Sequence, residues 1–369
     1  EEVARMPIMV AVVALVLVFG ILWDGFETVV LPRRVTRRLR LTGLFQRVTW
    51  APWSAIARRR LGGPRRENWL SFYGPLSLLM LLVVWAAGLI LGFALLQWAF
   101  GSQLGVPEGQ PDFRDDLYMS GTTFFTLGLG DVVPRSQLAR LVTVIEAGTG
   151  IGFLALVITY LPVLYQSFSR REVSISMLDE WAGSPPSAVE LLRRLAGRGD
   201  LTEVGSFLRE WERWSAELME THLSYPALAY YRSQHEDQSW LAALTMVLDL
   251  CVLVMAGADG TPALPAQLAF AIARHSAVDL SEVLGIPPRR HGPDRLPPSE
   301  MSRVWEVLAA AGAPLRPSPA SGGRVAELRL LYEPYVRALS DHLLMPLPPW
   351  IPPENARDDW RTSAWEPGG

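Results

Sequence analysis

The sequence predicts an all-α membrane protein: three transmembrane helices, a short re-entrant helix and loop ahead of the third, and a helical soluble domain. Three observations carry that prediction. Half of the 369 residues are hydrophobic and the mean hydropathy is positive, high for a soluble chain of this length. Long apolar runs occupy residues 6–23, 69–100 and 138–169. Beyond Arg170-Arg171 the hydropathy drops and helix-start signals appear. The chain therefore divides into a first span (1–32), an Arg-rich linker (33–68), a block holding the second and third spans (69–169), a helical domain (170–345) and a Pro-rich tail (346–369).

The first run, 6–23, has no charged residue and just reaches the length that crosses a bilayer core. Asp24 and Glu27 interrupt an apolar stretch that continues to Leu31. They are expected at the membrane face, reaching Arg33 or Arg34, rather than as an ion-binding pair. A secretory leader carries basic residues before its apolar run, whereas here the Arg cluster follows it, so the segment reads as a retained anchor.

Between Arg33 and Arg66 stand eleven Arg and no acid, which predicts a cytoplasmic loop. Leu41, Leu44, Phe45, Val48 and Trp50, set among Arg40, Arg47 and Arg58, fit either an amphipathic segment on the inner leaflet or a solvated loop.

Residues 69–100 are free of charge, with Trp69, Tyr73 and Trp98 near the ends where interfacial aromatics belong. Starting inside, this span emerges outside. The N-terminus is then expected outside and the C-terminal half in the cytoplasm, in a cell (inner) membrane protein. The outer loop, 101–116, has four acids and one Arg; it either concentrates cations or is simply solvated.

Residues 113–125 contain no Pro and follow or include Asp112, Asp115 and Asp116, which suits a short helix with acids at its positive end. Next, Gly128 and Gly130 alternate with Leu127 and Leu129, so the backbone can take positive φ at every second position without a Cβ penalty. Such alternation turns successive carbonyls the same way. A ring of these strands would line a narrow path with oxygen, the Thr126 hydroxyl at its inner end.

The pattern FxxxLYxSxTTxxTxGLGDxxP resembles the pore helix and selectivity filter of potassium channels, whose filter usually reads Thr-Val-Gly-Tyr-Gly-Asp. By that resemblance Thr126 matches the filter threonine, Leu127 the valine, Gly128 and Gly130 the glycines, Leu129 the tyrosine, and Asp131 the carboxylate behind the outer mouth. The resemblance implies K+ ions at Thr126, Leu127, Gly128 and Leu129, with Gly130 completing the filter, Asp131, Thr122, Thr123 and Glu146 supporting it, and no organic cofactor. One chain supplies one filter strand, so a homotetramer in the lipid bilayer is expected. Two departures bear on K+ over Na+ selectivity: Leu129 lacks the phenol that props many filters, and Phe125 replaces a common threonine. The resemblance covers about 69–168.

The third run, 138–169, is the lining-helix candidate. Its Gly148-Thr149-Gly150-Ile151-Gly152 lies in an apolar span with no strand before it, so it is not a dinucleotide motif. The resemblance offers Gly148 or Gly150 as a hinge, an ungapped count from the filter favouring Gly150, while small-residue packing accounts for them equally well. Pro162 removes a helix hydrogen bond near the cytoplasmic end, and a kink there could form a gate. Glu146 is a carboxylate within a span; it is expected to bond to Ser120 or Thr122, the alternatives being a protonated acid or one facing the cavity.

In the soluble half, Ser187 to Glu190 and Asp200 to Glu203 have capping-box spacing, and Leu201, Val204, Leu208, Trp211 and Leu218 form a helical stripe. Further helices are expected at 226–235, 239–256, 265–284, 300–311 and 323–345. Residues 240–257 are apolar except for Asp249 and fit a buried core helix better than a fourth span, since no Arg pattern flanks them.

The 34 basic residues are all Arg, and the stretch 170–369 is mildly acidic, which argues against nucleic-acid binding. Cys251 is the sole cysteine, so no intrachain disulfide forms. The five His show no metal spacing, no catalytic constellation appears, and no span carries an Arg ladder. The expectation is a non-enzyme: a cation channel, K+ selective, assembled or gated through its helical domain, to which an unknown ligand or protein partner would bind. A weakly selective cation channel, a non-conducting pore-like scaffold or sensor, and a transporter subunit are the competing readings.

Overall fold

A computed structural model describes residues 2–31, 41–196, 202–234, 237–257, 263–313 and 315–353. The chain is an all-α membrane protein. It forms two compact units, Glu1–Ile56 with Pro75–Tyr165, and Ala57–Gly74 with Gln166–Gly369.

In the first unit α1 (Glu2–Gly25) ends in a π-helical turn, Phe26–Val30. It is followed by α2 (Leu41–Arg60), so the stretch open between helix and loop is helical, and by α3 (Gly63–Ala99). The chain continues through β1 (Leu104–Gly105), α4 (Phe113–Phe124), β2 (Val133–Pro134) and the long α5 (Gln137–Ala182). β1 and β2 pair antiparallel, Leu104 opposite Pro134, tying the outer loop to the segment that leaves the Gly-rich stretch. Ala14, Val18 and Ile21 of α1 share one apolar cluster with Leu82, Trp85, Leu89 and Phe93 of α3, and with Phe124 and Val142. Gly92 permits the close approach: a Cβ there would lie 2.5 Å from Val18 Cγ2.

Asp24 is buried and has partners among the described residues. Its carboxylate accepts from Thr42 Oγ1 at 2.7 Å, Thr42 N at 3.2 Å and Trp85 Nε1 at 3.0 Å. It thus satisfies a backbone donor in the first turn of α2 and joins α1, α2 and α3. Glu27 accepts from Trp23 Nε1 at 2.7 Å, while Arg33 and Arg34 lie outside the described residues.

The second unit contains α6 (Ala188–Ala196), α7 (Thr202–Ser224), a 3-10 turn (Pro226–Tyr230), α8 (Trp240–Gly257), α9 (Ala263–Val283), α10 (Pro298–Ala310), α11 (Ser321–Leu330) and α12 (Glu333–Leu343). Among the described residues four helices are long and apolar enough to cross a membrane. The fourth, α8, has 89% of its apolar window buried inside the protein, against 17% for α1. It packs against α6, α7, α9 and α11. Asp249 within it is neutralised by Arg295 at 2.7 Å and accepts from the Tyr332 hydroxyl at 2.5 Å, so the acid is paired rather than bare.

Two expected helices differ. In place of 226–235 there is only the 3-10 turn, because the chain becomes extended at Tyr231 and its carbonyls are taken by side chains rather than by helix amides. The stretch 323–345 is broken between α11 and α12, where Pro334 lies in the first turn of α12 and has no N–H to offer an uninterrupted helix. Ser187 Oγ accepts from Glu190 N at 3.3 Å, but the Glu190 carboxylate is held by Arg193 and Arg194, so only half of that capping box forms. Asp200 and Leu201, and the tail beyond Pro353, lie outside the described residues.

Candidate pore

The helix that leads into the Gly-rich strand is fixed at its start by acids. Asp112 Oδ1 accepts from Arg114 N at 2.7 Å and Asp115 N at 3.3 Å, while Asp115 Oδ2 accepts from Asp112 N at 2.9 Å, a reciprocal capping box. Asp116 is buried and accepts from Ser102 Oγ at 2.6 Å, fastening α4 to the end of α3. The helix stops at Phe124. Phe125 N still reaches Gly121 O at 3.1 Å, and Leu127 N turns back onto Thr122 O at 2.7 Å.

From there the backbone alternates. Thr126, Gly128 and Gly130 have φ of 58°, 56° and 81°. Two glycines take this conformation at no steric cost, but a β-branched threonine does not, so Thr126 is a strained position. Leu127 and Leu129 are 62% and 65% exposed, and every residue of the extended segment from Thr126 to Asp131 is exposed on this chain. Asp131 Oδ2 accepts from the Tyr118 hydroxyl at 2.9 Å, which links α4 to the end of the strand.

Behind the strand, Glu146 of α5 is fully buried and hydrogen-bonds to Ser120, and no bond to Thr122 is formed; Thr122 Oγ1 instead donates to Met119 O at 3.0 Å. Ser120 Oγ also lies 2.7 Å from Ile90 O, so one serine joins α3, α4 and α5. A hydroxyl has a single proton, so the two bonds stand together only if the carboxyl brings one of its own. Oε2 of Glu146 is buried without a hydrogen-bond partner.

The two glycines of α5 are unlike. A Cβ on Gly150 would collide with the backbone carbonyl of Phe124, whereas one on Gly148 would meet nothing within 4 Å. Gly150 is therefore needed for close packing of α5 beneath the end of α4. Phe124 and Phe153 add a ring contact at 5.7 Å in the same place. α5 runs through Pro162 from Gln137 to Ala182, thirteen residues past the expected end at Ser169.

Residues 79–166 match the family model for ion channels. The matched segment contains the end of α3, all of α4, the Gly-rich strand and α5 down to the residues before Arg170. An uncharacterized membrane protein of Bacillus subtilis (strain 168), YdjJ, is 27% identical over 198 residues, 53% of this chain and 57% of that protein. The chain thus spans little more than half of that relative's length. No solved structure matches. For the ion-channel segment, the family match agrees with the resemblance carried by the motif; the relative adds only that it is a membrane protein.

Sequence reasoning placed Glu146 against Ser120 correctly as one of two choices, but missed two contacts. Tyr118 to Asp131 spans thirteen residues between a helix and a strand, and the visible signal was a tyrosine one turn after the capping acids. The Ser120 bond to Ile90 depends on how two helices cross, which no local pattern encodes. Among the described residues no His, Cys, Asp and Glu cluster could hold a metal ion.

Proposed function

We propose that this chain is one subunit of a tetrameric, K+ selective cation channel in the cell membrane, with four strands 126–130 forming the filter and the helical domain assembling or gating the pore. The observation that carries this reading is the alternation of positive φ at Thr126, Gly128 and Gly130, in a strand that its own subunit leaves uncovered. In that conformation successive carbonyl oxygens point to one side and substitute for the water around a weakly hydrated cation. Thr126, Leu127, Gly128 and Leu129 supply those oxygens, and Gly130 takes the φ of 81° at the exit, a conformation L side chains rarely adopt.

The rest of the site has a physical part in this reading. The C-terminal end of α4 carries the negative end of its dipole, and Asp112 and Asp115 stabilise the opposite end. The Arg-rich linker holds residues 33–68 and the helical domain on the cytoplasmic side, which leaves the N-terminus outside. The Tyr118 bond to Asp131 favours a selective filter over a loose one despite Leu129, because the strand is braced from the helix side. Ion flux from proteoliposomes of purified protein tests the reading, and its outcomes are given at the end of the Discussion.

A further inference from the structure

Arg171 follows the membrane-spanning part of α5, and its side chain is only 3% exposed. Its Nη1 donates to Leu228 O at 3.0 Å and to His222 Nε2 at 3.1 Å, and Nη2 donates to Tyr231 O at 2.9 Å. Nε donates to Glu172 Oε1 at 2.9 Å, and Nη2 completes the ion pair with the same oxygen at 2.9 Å. Four of the five guanidinium N–H groups thus donate to named acceptors, with the Glu172 carboxylate alongside as counter-ion. The cation also lies 5.2 Å over the Phe168 ring.

The acceptors are what make this arrangement informative. Two are backbone carbonyls of one short turn, 57 and 60 residues away in sequence, and the third is a histidine whose Nδ1 lies 2.9 Å from Leu218 O. Nδ1–H gives its proton to that carbonyl, leaving Nε2 as a lone pair facing Arg171. The same turn is held from the other side by the start of α3. Tyr73 and Tyr230 rings meet edge-on at 5.2 Å, and a Cβ on Gly74 would lie 2.7 Å from Tyr231 Cδ2. Trp240 Nε1 fixes the turn to α8 through Ala229 O at 3.2 Å. A chain of contacts therefore runs from the core helix of the soluble domain, through residues 228–231, to the helix that continues into the pore segment.

We propose that the Arg171 socket is the joint through which the helical domain sets the position of the pore-lining helix. Arg171 is a positioning residue: it touches no ion, and it acts by holding the continuation of α5 to the 228–231 turn. Buried guanidinium groups are costly to desolvate, and one with three hydrogen bonds to acceptors fixed on other elements holds geometry that packing alone leaves free to slide. Lysine has three donors on a flexible stem and cannot reproduce it. The inference rests on the channel reading given above.

The test is single-channel recording of wild type, Arg171→Lys and Arg171→Gln in lipid bilayers, with hydrogen exchange on the same proteins. The expected result is an open probability changed at least tenfold in both variants, with unitary conductance and K+/Na+ permeability ratio unchanged, and exchange faster at residues 168–175 and 226–231. His222→Ala, which removes one acceptor, is expected to shift open probability in the same direction, and its combination with Arg171→Gln to add nothing further. An open probability within twofold of wild type in Arg171→Gln, or additive effects in the double variant, would overturn the proposal. Should Arg171→Gln fail to fold, Gly74→Ala displaces the same turn from the α3 side and must also change open probability. A wild type without current would refute the channel reading instead, and the joint would then stand or fall on the exchange data alone.

Discussion

The Tyr118 hydroxyl donates to Asp131 Oδ2 across 2.9 Å, joining the re-entrant helix to the residue that follows the Gly-rich strand. Leu129 leaves the strand without a phenol of its own, and this bond supplies a brace from the other partner. Tyr118→Phe removes only the hydroxyl. The pair is exposed to solvent, so its loss is read in the behaviour of the Gly-rich segment rather than in global stability. On the channel reading the expected outcome is current that inactivates roughly tenfold faster, with an unchanged elution volume in size-exclusion chromatography.

Gly150 and Gly148 separate packing from bending. Gly150→Ala drives a methyl into the Phe124 carbonyl and is expected to cost about 1–3 kcal/mol or more, lowering the yield of folded protein and its melting temperature. Gly148→Ala meets open space and is expected to melt as wild type does. If a hinge were the main requirement at 150, Gly150→Ala would fold normally and alter only gating.

Glu146 is expected to tolerate Gln far better than Ala. The amide keeps a donor for the Ser120 oxygen, while Ala leaves a cavity and takes that donor away, with Ser120 still on Ile90 O, at a cost of about 1–3 kcal/mol. Melting temperature and flux of the two variants check this. Equal, wild-type behaviour of both would show that Glu146 supports nothing.

The second unit is expected to lose stability in acid through His222. Burial first, and then the Arg171 charge beside it, push this imidazole well below its usual range. The groups that face it are Arg171, Thr221 and the Trp240 ring, with Glu172 paired to Arg171. Because the folded pKa is depressed, the contribution is whole above the unfolded value near 6.5 and declines as pH falls through the folded one. Chemical denaturation between pH 8 and 5 is expected to show stability falling by up to about 1.4 kcal/mol per pH unit below roughly 6.5. His222→Gln is expected to be less stable at pH 8 and to lose that proton's share of the slope.

What could be read without coordinates was whatever local physics determines. Charge-free length located the long apolar helices, alternating glycines located the positive φ at Gly128 and Gly130, and Asp112 with Asp115 located the start of α4. The core placement of α8 followed from its lack of flanking Arg. Long-range pairings stayed hidden. Arg171 read only as half of a charge boundary, because its acceptors are backbone carbonyls some sixty residues on, which leave no trace in side-chain chemistry. Thr42 and Trp85 reach Asp24 across helix crossings, which no local pattern encodes. The 226–235 helix failed for the same reason, since side chains claimed the carbonyls a helix would have used.

The most direct test of the channel reading is ion flux from proteoliposomes of the purified protein, under K+ and then Na+ gradients, with Gly128→Ala as control. The account predicts K+ flux well above Na+ flux, abolished in the variant because a Cβ at φ 56° forces the strand out of its alternating conformation. Equal K+ and Na+ flux would contradict selectivity, and absence of flux from a confirmed tetramer would contradict conduction and leave the pore-like scaffold as the reading.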